Sequence, residues 1–252
     1  KRFPPGKELD PPDLILGAGH KTHLSMLCAK RAYGGKTAVI MKPSLPLCCF
    51  DLALIPAHDV DEAGENILIT EGAINTHSPS SVHDQTQGMI LIGGPSKHYA
   101  WDDQLMLDQI NMILRSDRRI SWLIADSPRT PISFADKIAS LRAENASYKS
   151  WKHVGRDWLP SRLREAGYVW VSEDSVSMVY EALTAGAATG ILKVNGNRAG
   201  KISGNIERLK SKGFISDYET WLVSDDLSPP PEALDEAARS AEWLLQRLES
   251  NH

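Results

Sequence analysis

The sequence has little cysteine: Cys28, Cys48 and Cys49 are its only thiols in 252 residues. An odd count with an adjacent pair is no disulfide framework, so a reducing compartment is the simpler setting. Cys48-Cys49 has no Cys-x-x-Cys partner and no histidine at ligand spacing, so no metal site and no metal cofactor are expected. No apolar run approaches the roughly 18 residues that a membrane-crossing helix needs, so no transmembrane segment is expected. Basic residues are scattered: 28 Lys and Arg stand against 32 Asp and Glu, a net charge of −4. Arg118-Arg119 is too short a run to make a basic stripe, which argues against a nucleic-acid partner. Gly-x-Ser-x-Gly and His-Glu-x-x-His are absent, which removes the serine-hydrolase and zinc-enzyme readings. The first residues show no secretory-signal pattern, so none is expected. No Met precedes Lys1-Arg2-Phe3-Pro4-Pro5, so the chain reads as processed, cut or lacking its start. The expected setting is cytoplasmic, with a peripheral place at a membrane as the alternative.

What is present is an ordinary globular mixture, 42% hydrophobic and 24% charged. The length exceeds the need of one small α/β core and suits two. Short apolar runs alternate with helical spacing. Leu14-Ile15-Leu16 reads as a strand, His20 to Tyr33 as a helix closed by Gly34-Gly35, and Thr37 to Met41, Leu52 to Ile55 and Ile67 to Thr70 as further strands. This is the βαβ rhythm of a parallel sheet. The polar stretch from Asn75 to Gln87 reads as a linker or mobile loop. Beyond it the rhythm resumes, with strands at Met89–Ile92, Ser121–Ala125, Tyr168–Val171 and Ala188–Val194. Helices are expected over Trp101–Leu114, Ile132–Glu144, Asp174–Ala185 and Lys201–Lys212. Pro229-Pro230-Pro231 precedes a last helix, Glu232 to Leu248. The resulting division is an N-terminal Rossmann-like domain over 1–76, a linker over 77–87, a C-terminal Rossmann-like domain over 88–228, and a final helix within 229–252.

Four strand ends could carry chemistry. After Val171 a helix starts near Asp174 or Ser175, where unpartnered backbone N–H groups and the helix dipole suit a phosphate. Ser175 and Ser177 could add hydroxyl hydrogen bonds beside Met178. Glu181, on the same helix face, could accept the two hydroxyls of a ribose. The plainer alternative is an N-cap followed by a surface acid. Gly93 and Gly94 follow a strand directly, permitting positive φ and close approach to a ligand, with Ser96, Lys97 and His98 behind them. They match neither G-x-G-x-x-G nor the P-loop, and a simple tight turn is the alternative. Ser127, Arg129 and Thr130 follow the third strand end, and the planar fork of Arg129 suits a diphosphate. Gly17, Gly19 and His20 form the fourth, with His20 as a candidate acid or base and a capped turn as the alternative. Lys42-Pro43-Ser44 and Glu71 lie at neighbouring strand ends. Parallel strands would bring the first three tips to one edge of the second unit's sheet, and Gly17–His20 and Lys42–Ser44 to one edge of the first unit's.

As a set, Gly93-Gly94-Pro95-Ser96-Lys97-His98-Tyr99-Ala100-Trp101-Asp102, Ser127-Pro128-Arg129-Thr130-Pro131 and Ser172 through Ala182 resemble the ELM-type mitochondrial-fission family and its bacterial relatives. Leu16-Gly17-Ala18-Gly19-His20 and Lys42-Pro43-Ser44 fit the same family, so the resemblance spans nearly the whole chain. That family is similar to glycosyltransferases of the GT-B architecture. The resemblance therefore implies an α/β fold of two Rossmann-like domains facing across a cleft. It implies a nucleotide-sugar (UDP-, GDP- or CMP-linked) in the C-terminal domain, with Ser175 and Ser177 on the diphosphate and Glu181 on the ribose. The final helix would return to the first domain. The family's opening strand and Asp-Gly-x-x-Gly-His loop have no match here, so the N-terminal domain is expected to be incomplete. A sugar-epimerase reading would require a dinucleotide fingerprint that the sequence does not contain.

Three functions follow. The first is glycosyl transfer, with Arg129 and the helix dipole on the diphosphate and His20 deprotonating an acceptor. The second, which the resemblance implies, is a non-catalytic recruiting protein with a protein partner, the role of the family's plant member. The third is a structural α/β module. A notch left open at Ser175, Ser177 and Arg129 favours the first, and a notch filled by side chains favours the second.

Overall fold

The computed structural model describes residues 10–60, 64–196, 201–232 and 234–249. The Lys1–Pro5 segment discussed above lies outside them. The chain divides into two units, residues 1–76 with 235–252, and residues 77–234. No helix among the described residues is long and apolar enough to cross a membrane.

In the first unit, β1 (Leu14–Ala18), β2 (Lys36–Ile40), β3 (Leu52–Pro56) and β4 (Ile67–Thr70) form one sheet in that order, every pair parallel. Strands covered on both faces read as continuous apolar runs, and all five residues of β3 are buried. Alternate residues go to opposite faces. Val39, Ala53 and Ile55 pack with Met26 of α1 (His23–Tyr33). Ala38, Leu52 and Leu54 pack with Trp243 and Leu244 of α8 (Glu236–Glu249). Arg239 of that helix donates to the Ile69 carbonyl at 2.6 Å, and Lys36 donates to the Arg247 carbonyl at 2.5 Å. The last helix of the sequence therefore completes the first sheet's core.

In the second unit, six parallel strands matter most: β5 (Asp84–Leu91), β7 (Ser121–Ala125), β8 (Ala146–Lys149), β9 (Ala166–Ser172), β10 (Ala188–Leu192) and β12 (Ile215–Asp217). Their spatial order is β12-β10-β9-β5-β7-β8. The two-residue pieces β6 (Tyr99–Ala100) and β11 (Asn195–Gly196) pair antiparallel beside them. Counted along the chain, the six strands lie in the order 3-2-1-4-5-6 of the dinucleotide-binding fold, with the reversal between β5 and β9. One face packs Met89, Leu91, Val169 and Val171 against α4 (Trp158–Glu165), α5 (Val176–Ala185) and α6 (Lys201–Ser211). The other packs Ile90, Ile124 and Trp170 against α2 (Asp103–Ser116), α3 (Ile132–Ala139) and α7 (Tyr218–Ser224). Trp122 and Trp170 lie over the glycines paired with them on adjacent strands, Gly88 and Gly190. A Cβ on either would sit within 2.5 Å of the indole ring.

Several boundaries differ from the sequence reading. Asp84–Gln87 were expected in the linker but form the start of β5. That segment is fastened further: Ser80 N–H donates to the Ala185 carbonyl at 3.0 Å, and the His83 ring meets the Ala166 carbonyl at 2.8 Å. The helix expected to reach Glu144 stops at Ala139, because the chain turns into β8.

Candidate functional site

The strand reversal between β5 and β9 opens the carboxyl edge of the sheet at one point, the place where open α/β sheets take ligands. The tips of β5, β7 and β9 meet there. Gly93 N–H donates to Ser172 Oγ at 2.7 Å, and Gly94 N–H donates to Asp174 Oδ2 at 3.0 Å. Thr130 Oγ1 donates to the Gly93 carbonyl at 2.6 Å, and Ser127 Oγ lies 3.3 Å from the same oxygen. Arg129 Nη1 reaches Asp174 Oδ2 at 2.7 Å and the Gly94 carbonyl at 3.1 Å. Ser127, Arg129, Thr130, Gly93, Gly94 and Asp174 thus form one cluster.

The occupant of that cluster is the protein's own carboxylate. The Asp174 side chain has no exposed surface, and its Oδ1 has no hydrogen-bond partner. The glycine expectation is corrected accordingly. Neither Gly93 nor Gly94 adopts positive φ. Each is small because protein approaches it: a Cβ on Gly93 would lie 2.1 Å from Asp174 Oδ2, and one on Gly94 would lie 2.0 Å from the Arg129 carbonyl oxygen. Arg129 meets both Asp174 and the Gly94 carbonyl through Nη1 alone, which ties the β7 tip to the β9 and β5 tips while the side chain stays 40% exposed. Ser96 and Lys97 are exposed, with Ser96 Oγ accepting from His98 N–H at 3.2 Å.

The start of α5 differs. Ser175 is its N-cap residue, yet its hydroxyl caps no backbone N–H, and the helix begins without an acidic residue in its first turn. The N–H groups of Val176, Ser177 and Met178 have no acceptor among the described residues. Ser175 is buried, Ser177 exposed, and Met178 packs partly against the core. Glu181 follows one turn after Ser177, with 24% of its side chain exposed. Burial pushes its carboxyl above the ordinary range. His77 Nε2 lies 3.8 Å from Glu181 Oε2, and burial holds this imidazole below its usual value. The sequence reading placed His77 in a polar linker and did not select it; no local pattern distinguishes it from the serines around it. Ser172 was likewise passed over, although it is fully buried and holds the β5 tip.

In the first unit, Gly19 takes φ 77° and its carbonyl accepts from Thr22 Oγ1 at 2.8 Å. Gly17 is packed by α1, since a Cβ there would lie 2.2 Å from Met26 Sδ. His20 is exposed on a short 3-10 turn. The buried histidine of this region is His23, 2% exposed, whose Nδ1 lies 3.4 Å from Ser44 Oγ and whose ring meets Phe50 edge-on. The Gly17–His20 and Lys42–Ser44 loops are therefore neighbours at one edge, as expected of parallel strands.

Comparison with known proteins adds four findings. The family model for mitochondrial fission ELM1 matches residues 1–248. The uncharacterized protein RP120 of Rickettsia prowazekii (strain Madrid E) is 23% identical over 289 residues, spanning 96% of this chain and 81% of RP120. Among solved structures, a Listeria monocytogenes protein provisionally described as a UDP-N-acetylglucosamine 2-epimerase is similar with TM-score 0.62 and 12% identity, covering 96% of this chain and 76% of that one. The UDP-GlcNAc 2-epimerase of Methanocaldococcus jannaschii, solved with UDP-GlcNAc and UDP, is similar with TM-score 0.51 and 11% identity, covering 93% and 76%. At such identities the likeness is one of fold, the α/β GT-B type built on parallel sheets, and it carries no reaction across.

Proposed function

Because the chain belongs to the mitochondrial fission ELM1 family, we propose that its second unit binds the nucleoside-diphosphate part of a nucleotide-sugar at the start of α5. The observation that carries this reading is the set of three uncommitted N–H groups at Val176, Ser177 and Met178, beside the strand reversal. They present donors and the positive helix end to an anion. Ser175 and Ser177 add hydroxyls to the diphosphate, and Glu181 accepts from the ribose. His20 is proposed as the group that takes the acceptor's proton if transfer occurs. Gly17 and Gly19 shape the turn that presents it. Arg129, Ser127, Thr130, Gly93, Gly94 and Asp174 keep the notch in shape. Ser96 and Lys97 are proposed to lie along the sugar-bearing side. One neighbour of the same fold was solved with UDP-GlcNAc and UDP, which makes UDP the first probe.

Calorimetric titration with UDP, GDP and CMP tests the reading. Binding of one of them, weakened about tenfold by Ser177→Ala, is expected, since a hydrogen bond to a charged group is worth ~1.5 kcal/mol. Glu181→Gln should weaken the ribonucleotide more than its 2′-deoxy form. Absence of binding by every nucleotide would overturn the proposal.

A second reading is a recruiting protein that binds a partner and catalyses nothing. It draws on the Asp174 carboxylate, which fills the meeting point of the strand tips. Turnover of a panel of UDP-, GDP- and CMP-sugars separates the two: transfer or hydrolysis supports the enzyme, and binding without turnover supports the recruiter.

A further inference from the structure

The opposite, amino-terminal edge of the second unit's sheet carries a feature that the nucleotide reading does not use. A cavity of about 530 Å³ lies between the last turn of α2, the start of β7 and the segment before β8. Arg115, Arg118 and Arg142 line it, together with Asn111, Ser121 and a single acid, Glu144. The first two arginines are close in sequence. Arg142 arrives from another loop, delivered by the fold. All three are exposed, and none forms an ion pair among the described residues. Arg119 alone in this region is neutralised, by Asp117 at 2.7 Å.

Three guanidiniums against one carboxylate leave the cavity two positive charges in surplus. The protein as a whole is acidic, with net charge −4, so this concentration of unpaired cations runs against the general balance. Guanidinium forks match phosphate oxygens in pairs, and the Asn111 amide and Ser121 hydroxyl are further donors with no committed partner among the described residues. The frame is firm. Asn145 donates to the Leu114 carbonyl at 3.0 Å and the Ile120 carbonyl at 3.2 Å, tying the loop that bears Arg142 to the end of α2 and the approach to β7.

We infer that this arginine-lined cavity is a second anion site, built for a dianionic phosphomonoester and separate from the α5 start. A phosphomonoester carries about −1.5 to −2 at neutral pH, which matches the surplus. The group can belong to a small phosphorylated solute or to the headgroup of a lipid such as phosphatidic acid. The chemistry at the cavity is the same.

The experiment compares the full chain with an Arg118→Gln, Arg142→Gln double variant, whose changes are at exposed positions and whose fold is checked by circular dichroism and thermal melting. Inorganic phosphate is titrated calorimetrically at neutral pH and again below its second ionisation. Sedimentation is measured with phosphatidylcholine vesicles with and without phosphatidic acid. Wild-type protein should bind phosphate, more weakly at the lower pH and in added salt, and the double variant should lose about tenfold or more in affinity. Binding of free phosphate without vesicle sedimentation assigns the site to a solute; sedimentation only with phosphatidic acid, lost in the variant, assigns it to a lipid. UDP affinity should be the same in both proteins, whatever its value. Failure of wild type to bind either probe, equal binding by the variant, or a parallel loss of UDP affinity overturns the inference.

Discussion

Asp174 decides how the strand tips are read. Its carboxylate is wholly inside, bonded to Gly94 N–H and to Arg129. The pair is buried on one side only: Asp174 is wholly inside while the Arg129 side chain is 40% exposed, and removing the guanidinium strands the buried carboxylate. Arg129→Ala should therefore cost about 2 kcal/mol, less than a fully buried pair would, read as a lowered urea midpoint. A negligible change would show that the guanidinium is held in reserve for a ligand. His77 and Glu181 give a second test at this scale. Burial depresses the His77 pKa from 6.5, so the unfolded chain binds that proton more readily. Its contribution to stability is present above about 6.5 and is lost as pH falls through the folded value. Glu181 has the opposite sign: raised from 4.5, it contributes below that value and loses its contribution as pH rises through the folded one. His77→Gln should flatten the decline of stability on acidification below neutral, measured as urea midpoints at stepped pH. An unchanged slope would exclude His77 as the responsible group.

Among the elements, the turn after β5 is the most constrained. The sequence announces it with Gly93-Gly94, but the reasons for the glycines lie far along the chain: the Asp174 carboxylate leaves no room for a Cβ on Gly93, and the Arg129 carbonyl leaves none on Gly94. Gly93→Ala should cost about 2 kcal/mol through overpacking and should disturb Asp174 and the β9 tip with it. The expected readout is loss of stability together with weakened nucleotide binding. Retained stability would mean that the tip can shift without cost. In the second unit the strands that sequence reading found, β5, β7, β9 and β10, are the inner ones, where apolar runs are continuous. It missed β8 and β12, because β8 is a four-residue edge strand with alternating exposure and β12 has three residues. It also missed α4 and α7, eight and seven residues long, too short to show helical periodicity against their loops.

At the scale of the whole molecule, the chain leaves the first unit at residue 76 and returns to it at residue 235. Each unit has its own core, so equilibrium unfolding need not follow a single two-state curve. Leu244 is 7% exposed on α8 and packs with Ala38, Leu52 and Leu54. Leu244→Ala should cost the first unit about 3 kcal/mol. Of the seven tryptophans, only Trp243 belongs to that unit. Fluorescence, dominated by the second unit, should thus shift less than circular dichroism in this variant. Coincident shifts by both probes would show that the units unfold together.

The sequence by itself determined the α/β class, the parallel strands and the family, because these depend on local spacing and on motifs contiguous in the chain. Tertiary structure alone decided three matters that depend on residues far apart. It placed a carboxylate where an anion was expected, brought a linker histidine to Glu181, and carried Arg142 to Arg115 and Arg118. Local periodicity encodes which face of an element is buried. It holds no record of which distant charge will stand opposite, and that pairing settles what each site can bind.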